Sequence, residues 1–162
     1  RIRGHRSKPF DAEGLANPAM HLVEDGELEN WVLDLATARK LGITSNGRAS
    51  RGTSSPPSPS TTNLYMTAGK ASPEDLIDDI TEGFYVTELM GFGINGVTGD
   101  YSRGASGFWI ESGKIAYPVS EVTIAGNLKD MFQNLRQADD LRFKYGTNAP
   151  TIRIDGMTVA GS

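Results

Sequence analysis

The alternation of apolar and polar residues predicts an antiparallel sheet made of hairpins. In the clearest case two extended runs flank a Ser112-Gly113 turn, and two such runs joined by a two-residue turn with glycine are typical of a hairpin. Asp25-Gly26 and Asp155-Gly156 give the same turn signal. Hairpins are therefore predicted near residues 20–34, 105–119 and 151–159. In the first hairpin, the side chains expected to face the core are Leu28, Trp31 and Leu33.

Helical spacing of apolar residues predicts three short helices, near residues 35–41, 73–81 and 127–138. Asp34, Ser72 and Asn127 precede them, and these residue types favour the N-cap. Gly42 follows the first helix, where a left-handed C-cap favours glycine. The predicted fold class is therefore α+β: a mostly antiparallel, curled β-sheet built from hairpins, with two or three short helices.

Two polar segments interrupt this pattern. Residues 43–62 contain no large apolar residue after Ile43 and are rich in Ser, Thr, Gly and Pro, which predicts a long flexible loop. Arg48 and Arg51 give this loop positive charge, so it is either a solvated loop or a contact for carboxylates and peptide backbone. The segment Tyr101 to Gly104 is interpreted as a turn, with Arg103 either in an ion pair or reaching a ligand.

The glycines from Gly91 to Gly96 fit the spacing G-x-G-x-x-G after a predicted strand. A dinucleotide site also needs a helix that opens at the third glycine. Here the sequence Val97-Thr98-Gly99-Asp100 follows, which is typical of a turn and a new strand. The pattern therefore indicates tight turns and close backbone approach, not cofactor binding.

Length and composition set outer limits. A chain of 162 residues is expected to be a single domain spanning 1–162. It contains no run of 18 apolar residues, so no membrane contact is expected, and its net charge of -4 suggests no direct nucleic-acid contact. The basic opening, Arg1, Arg3, Arg6 and Lys8, is either a solvated segment or an anion site. Because the first residue is Arg, the chain is expected to be a piece of a longer protein.

The residues that most often carry catalysis or metal are few. The chain has no cysteine, and its two histidines, His5 and His21, lie in different segments. No zinc site is therefore expected in this chain. Neither Ser102 nor Ser106 lies in a nucleophile elbow. The paired acids Asp78-Asp79 and Asp139-Asp140 are adjacent in sequence, so in a helix they would diverge rather than act together. No catalytic residue is predicted.

Five blocks of sequence together resemble the C-terminal domain of the TldD/PmbA family. They are LATARKLG at 35–42, TNLYM at 62–66, DYSRGASGFW at 100–109, YPVSEVTIAGNLKDM at 117–131 and MTVAG at 157–161. The third and fourth blocks are closest to the PmbA (TldE) branch. The resemblance implies a longer protein whose N-terminal half is absent from this chain.

The resemblance also implies a function. Members of this family are cytoplasmic proteins of bacteria and archaea, in which a TldD subunit carries a zinc site with a histidine motif and a cysteine ligand. The PmbA subunit lacks that site and pairs with TldD, and together they trim or degrade unfolded peptides, including a microcin precursor. An older name for the family is modulator of DNA gyrase. Zinc is expected only in a TldD-type partner, with self-association as a dimer as the other possible assembly.

Two functions follow as expectations. The first is a non-catalytic subunit domain of a cytoplasmic metallopeptidase, contributing to the peptide channel and the subunit interface. The second is a regulatory interaction module that acts on a gyrase or toxin-antitoxin partner without proteolysis. For the first function, the residues expected to contact an unfolded peptide are Arg48, Arg51, Asn63, Ser102, Arg103 and Gly104.

Overall fold

The computed structural model describes residues 3–161. In this part of the chain the first elements are β1 (Val23–Glu24), β2 (Glu27–Leu28), α1 (Leu35–Leu41), β3 (Ala49–Ser50), β4 (Ser58–Pro59), β5 (Leu64–Tyr65) and β6 (Glu82–Met90). The remaining elements are β7 (Asp100–Glu111), β8 (Lys114–Asn127), α2 (Leu128–Gln133), β9 (Leu135–Gln137), β10 (Thr147–Asn148), β11 (Ile152–Ile154) and β12 (Thr158–Ala160). The α+β class with antiparallel pairing is confirmed.

The chain divides into two compact units. The first consists of Arg1–Met66 and Phe143–Asn148, and the second of Thr67–Arg142 and Ala149–Ser162. The expectation of one domain over 1–162 stays a prediction.

The first unit has little regular structure and an interior that is largely polar. Its buried apolar residues include Leu33, Ala38 and Ala49, and its buried polar residues are Asp11, Asn17, Asp34, Arg48 and Asn148. Strands β1 and β2 form the predicted hairpin, with Asp25 and Gly26 both at positive φ. The pairs β3–β4 and β5–β10 are short, and β5–β10 is parallel.

Local capping fixes helix α1, as predicted. The Asp34 side chain accepts a hydrogen bond from the backbone N–H of Thr37 at 2.6 Å, and Gly42 adopts the left-handed conformation at the C-cap. Both groups satisfy helix ends that otherwise lack partners. Two core predictions nearby are wrong: Trp31 is 61% exposed and Leu28 57% exposed. The hairpin is too short to cover them, because its strands end at Glu24 and Leu28.

The second unit is built on an antiparallel sheet with strand order β12-β8-β7-β6. Ala105, Val122 and Ile124 form its buried centre, packed by Phe84, Tyr101, Val119, Met157 and Val159. The long β7–β8 hairpin turns at Ser112 and Gly113, both at positive φ, as the sequence predicts. Register shifts on both sides of β7 indicate β-bulges, which bend and twist strands.

The predicted hairpin at 151–159 is wrong. Strand β11 pairs with β9 and strand β12 pairs with β8, so the Asp155-Gly156 bend separates two sheets. Helix α2 begins at the predicted Asn127 cap but ends at Gln133, because Leu135–Gln137 joins β11 instead. The Asp155-Gly156 turn therefore forms as predicted, but the strands on either side of it pair with strands from elsewhere in the chain.

The helix predicted at 73–81 is also wrong. The predicted cap forms, since Ser72 Oγ accepts from the Asp75 N–H at 3.1 Å and Asp75 Oδ2 from the Ser72 N–H at 2.8 Å. The segment then continues as turns, and its end is held by the β7–β8 turn. Bonds to the residue four positions back (Leu76 to Ser72, Asp78 to Glu74) alternate with bonds to the residue three back (Ile77 to Glu74, Ile80 to Ile77), so no continuous helix forms. The Ile80 carbonyl then accepts from the N–H of Gly113 at 2.8 Å.

Candidate functional site

The residues predicted to contact peptide fall into two groups. Arg48, Arg51 and Asn63 belong to the first unit, and the run Ser102 to Gly104 belongs to the second. Their contact with peptide stays a prediction.

The first unit contains a pocket of about 360 Å³. We call it the cationic pocket. It is lined by Arg6, Lys8, Asn17, Arg48, Ala49, Ser50, Ser60, Thr61 and Thr62. Three of these side chains are cationic, four carry hydroxyl groups, and none is acidic. The composition suits an anion.

Arg48 forms the buried part of the cationic pocket. Arg48 is only 6% exposed. The interpretation of residues 43–62 as a structureless solvated loop is therefore wrong at Arg48. The guanidinium donates to the carbonyl oxygen of Pro18 and, at 3.4 Å, to that of Gly47. Its backbone N–H donates to the Leu33 carbonyl at 3.1 Å, and its own carbonyl accepts from Ser60 at 2.8 Å.

Asp11 lies behind the cationic pocket and fixes its wall. Its carboxylate accepts the backbone N–H groups of Glu13, Leu15 and Ala49, each at 2.9 Å. Burial alone raises the pKa of Asp11, but these three amides and the Arg48 charge outweigh burial and hold the pKa below its ordinary value. Sequence reasoning missed Asp11, although the run Asp11-Ala12-Glu13-Gly14 is a recognisable turn signal.

Asn63 holds the segment that carries Arg6 and Lys8. Its Oδ1 accepts the Arg6 N–H at 3.0 Å, and its Nδ2 donates to Ser7 Oγ at 2.8 Å. A Cβ on Gly4 would lie 2.6 Å from Asn63 Oδ1, so glycine permits this close approach. The basic opening is therefore anchored beside Asn63 rather than being a loose tail. Arg1 lies outside the described residues.

A second pocket in the first unit, also of about 360 Å³, is lined mainly by aromatic and polar groups. We call it the aromatic cleft. Its lining is Arg3, Gly4, His5, Asn63, Tyr65, Phe143, Tyr145 and Asn148. Tyr65 and Phe143 meet edge to face, with ring centroids 5.2 Å apart. Asn148 closes the cleft by accepting the N–H groups of Lys144 and Tyr145 at 2.8 and 2.9 Å.

The remaining predicted residues have simpler settings. Arg51 is exposed at the end of β3. The run Ser102 to Gly104 is not a turn, because it lies inside β7, where Arg103 is opposite Ile124. The chain reverses earlier, between Gly91 and Gly99, both at positive φ. The glycine at 104 suggested a turn, but it sits in regular strand pairing opposite Thr123.

Arg103 is the unusual member of this run. One guanidinium nitrogen donates to the Leu89 carbonyl at 3.4 Å, a long contact. Its Nε is buried and has no hydrogen-bond partner among residues 3–161. Buried donors are normally satisfied, so Arg103 retains capacity for a further acceptor.

Beside Arg103, the reversal that joins β6 to β7 exposes apolar side chains. Phe92 is 106% exposed, Val97 96% and Ile94 58%. We call residues 91–99 the apolar loop. Its backbone is firmly held, because Asn95 Oδ1 accepts the N–H groups of Val97 and Thr98 at 2.9 and 3.1 Å. It opens no helix at Gly96, as the sequence predicts.

The described residues do not fit a zinc ion. Within 3–161, no group of three or more His, Cys, Asp or Glu side chains is placed to hold a metal. His21 instead faces Glu24 at 3.3 Å, and His5 lies in the aromatic cleft. The expectation that zinc belongs to a partner stays a prediction. Neither helix in the described part of the chain has the length and apolar character needed to cross a bilayer.

These sites offer several kinds of binding chemistry. The cationic pocket offers cations and hydroxyl donors, the aromatic cleft offers ring faces, and β7 offers Arg103. Arg6 and Lys8 were noted in the sequence only as a basic run, and their convergence with Arg48 depends on contacts that no local pattern encodes.

Comparison with known proteins places this chain in a family. The family model described as "PmbA/TldA metallopeptidase C-terminal domain" matches residues 1–161. The metalloprotease PmbA of Escherichia coli O157:H7 is 40% identical over 162 residues, covering 99% of this chain and 34% of that protein. The chain thus spans about one third of the length of such relatives.

Two solved structures show the same fold. One is a putative modulator of a DNA gyrase from Thermotoga maritima, with a TM-score of 0.82 and 32% identity over 97% of this chain and 36% of that one. The other is TldE from Thermococcus kodakarensis, with a TM-score of 0.83 and 26% identity over 95% of this chain and 36% of that one. With the family match over residues 1–161, these similarities show that the chain belongs to the PmbA/TldD metallopeptidase family, as a C-terminal domain of its PmbA (TldE) branch.

Proposed function

We propose that this chain is a non-catalytic subunit domain of a PmbA/TldD-type cytoplasmic metallopeptidase that trims or degrades unfolded peptides. In this proposal the domain contributes peptide contacts and part of the subunit interface. A TldD-type partner supplies the zinc ion and the chemistry at it. Family membership supports the general role, and the surfaces of the second unit support the specific one.

The observation that carries the proposal is the open edge of the four-stranded sheet. Strand β6 pairs with β7 on one side, and it is the last strand of its sheet within residues 3–161. Its second half, from Val86 to Met90, is exposed. Such an edge presents unpaired N–H and C=O groups to any extended chain. Peptides of varied sequence share only their backbone, so edge pairing recognises them without a deep side-chain pocket.

The apolar loop supports the subunit interface. It continues directly from the end of β6, and Phe92 and Val97 are almost fully exposed at its tip. Covering such a loop with a partner stabilises the complex, because burying one Phe side chain contributes about 1.5–3 kcal/mol. An edge strand that ends in such a loop is suited to guide a peptide toward a neighbouring subunit.

The experiment uses two exposed phenylalanines as a matched pair. The protein is mixed with the TldD-type subunit from the same genome, and assembly is followed by sedimentation velocity. Phe92→Ser is expected to raise the dissociation constant by roughly ten- to hundredfold. Phe132→Ser, at a residue 67% exposed on α2, is expected to leave it within about threefold. Equal effects of the two variants, or no assembly with wild type, would contradict the proposal.

Peptide turnover by the same mixture distinguishes the competing function. Cleavage of an unfolded peptide by the pair, lost when the partner is omitted, supports the subunit role. Direct binding of DNA gyrase by this protein, with no cleavage by the pair, would replace it with the regulatory interaction module.

A further inference from the structure

We propose that the cationic pocket binds the free C-terminal carboxylate of a peptide. The pocket's preference for an oxyanion comes from its own residues. The choice of a peptide as the source of that oxyanion rests on the function proposed above.

The cationic pocket has a buried floor and an exposed cationic rim. Arg48, Asn17 and Ala49 are buried at the floor, with exposed fractions of 6%, 3% and 5%. Arg6 and Lys8 are exposed at the rim. A buried guanidinium held by main-chain carbonyls loses little conformational freedom when it meets a ligand, because its position is already fixed.

The side chains that line the cationic pocket carry net positive charge. Arg6, Lys8 and Arg48 line it, and no Asp or Glu does. Asp11 lies behind the wall, where its carboxylate is directed at three backbone N–H groups. It partly offsets Arg48 without entering the pocket. This site is cationic in a chain whose net charge is -4.

The hydroxyl groups complete the match to an oxyanion. The hydroxyl-bearing residues of the lining come from the β3–β4 pair and the segment after it. Ser50 lies in β3, and Ser60, Thr61 and Thr62 directly follow β4. A carboxylate accepts up to about four hydrogen bonds, and each hydroxyl has one proton to donate. The Ser60 hydroxyl donates to the Thr61 carbonyl at 3.3 Å, so Ser50, Thr61 and Thr62 are the main hydroxyl donors. Hydrogen bonds in which one partner is charged are shorter and stronger than neutral ones. Cations and hydroxyls around one cavity therefore favour a carboxylate over a neutral amide.

Size limits the ligand to the end of a chain. A cavity of about 360 Å³ is at the small end of the range for ligand pockets. It suits one terminal residue with its carboxylate, while the rest of the peptide stays outside. Recognition of a terminal carboxylate would select chain ends, including the new ends that peptide cleavage creates.

The test compares two peptides that differ only at the terminus. An unstructured decapeptide labelled at its N-terminus is prepared with a free carboxylate and with a terminal amide. Binding to the protein alone is measured by fluorescence anisotropy at about 50 mM salt, where charge interactions are weakly screened. Wild type is expected to bind the acid at least roughly tenfold more tightly than the amide. Equal affinity for the two peptides would overturn the proposal.

Lys8→Met is the informative variant, because Lys8 is exposed and its loss is not expected to disturb folding. It should reduce the acid preference to less than about threefold, while Lys70→Met, at an exposed lysine in the second unit, should leave it unchanged. Circular dichroism and thermal melts confirm that both variants fold. An unchanged acid preference in Lys8→Met would overturn the assignment of the pocket.

Inorganic phosphate separates the two possible sources of the oxyanion. Competition by phosphate only at concentrations far above that of the acid peptide supports the peptide terminus. Saturable phosphate binding without discrimination between acid and amide would overturn it in favour of a free anion. Because these assays need neither the partner nor turnover, they fail independently of the proposed function. If the protein prefers the acid peptide but the pair cleaves no peptide, only the proposed function is rejected. If the pair cleaves peptide but the protein shows no preference for the acid, only the carboxylate site is rejected.

Discussion

Asp11→Asn is expected to destabilise the first unit strongly, because the native carboxylate organises three separate backbone amides. Oδ1 accepts from Glu13 and Leu15, and Oδ2 accepts from Ala49. Asparagine replaces one oxygen with an NH2 group. Whichever way the amide is oriented, at least one N–H donor then faces another donor. Asp11 is only 5% exposed, so water does not easily replace the lost acceptor.

The expected loss of stability follows from the number of hydrogen bonds that Asp11 accepts. Leaving one buried N–H unsatisfied costs about 1–3 kcal/mol, and the remaining bonds lose the extra strength of a charged acceptor. The free energy of unfolding is therefore expected to fall by about 2–4 kcal/mol. Urea denaturation at pH 7, followed by far-UV circular dichroism, gives the value. Asp139→Asn, at an exposed acid in the second unit, is the matched control and should change stability by less than about 0.5 kcal/mol.

The pH dependence provides a second check on the same residue. The folded-state pKa of Asp11 is below its ordinary value, despite burial, because of the amides and Arg48. Its stabilising contribution is therefore complete above the unfolded pKa of about 3.9 and is lost as pH falls through the lower folded value. The difference between wild type and Asp11→Asn should be constant from pH 5 to 8 and shrink below about pH 4. A difference under about 0.5 kcal/mol at pH 7, or equal to that of Asp139→Asn, would refute the reasoning.

Three further predictions concern the second unit. Gly93→Ala places a Cβ 1.5 Å from the Ser102 carbonyl oxygen, so denaturation should show a loss of about 1–3 kcal/mol, while Gly96→Ala, with open space, should be nearly neutral. Arg153→Met removes its hydrogen bonds to Asp155 at 2.7 Å and to the Leu76 carbonyl at 3.0 Å, and the denaturation midpoint should fall by the equivalent of about 1–3 kcal/mol; an unchanged midpoint would contradict this. Arg103→Ala should lower peptide turnover by the assembled pair without dissociating it, whereas a lower melting temperature with normal turnover would assign Arg103 a structural role.

Features that depend on a few adjacent residues were predictable from sequence. Ser112-Gly113 and Asp25-Gly26 form their turns because both positions of each turn need positive φ, which glycine and a short polar residue tolerate. Helix α1 begins and ends where Asp34 and Gly42 cap it. The family resemblance was also readable from sequence, because its motifs are contiguous.

Features that depend on distant partners were not predictable. Ile152–Ile154 looked like half of a hairpin, but it pairs with Leu135–Gln137. Arg48 lies in a segment without large apolar residues, so composition indicated a solvated loop. It is buried because Pro18, Leu33 and Asp11 supply polar partners from other parts of the chain. The cationic pocket was missed for the same reason, since its cations come from two segments that converge only in the fold.

The most direct test of the central claim is zinc content and peptide cleavage measured on the same samples: this protein alone, its TldD-type partner alone, and the mixture. The account predicts that this protein purifies without stoichiometric zinc even after zinc addition, that it cleaves no peptide alone, and that the mixture cleaves an unfolded peptide with zinc contributed by the partner. One tightly bound zinc ion per chain of this protein, together with cleavage in the absence of the partner, would contradict the account.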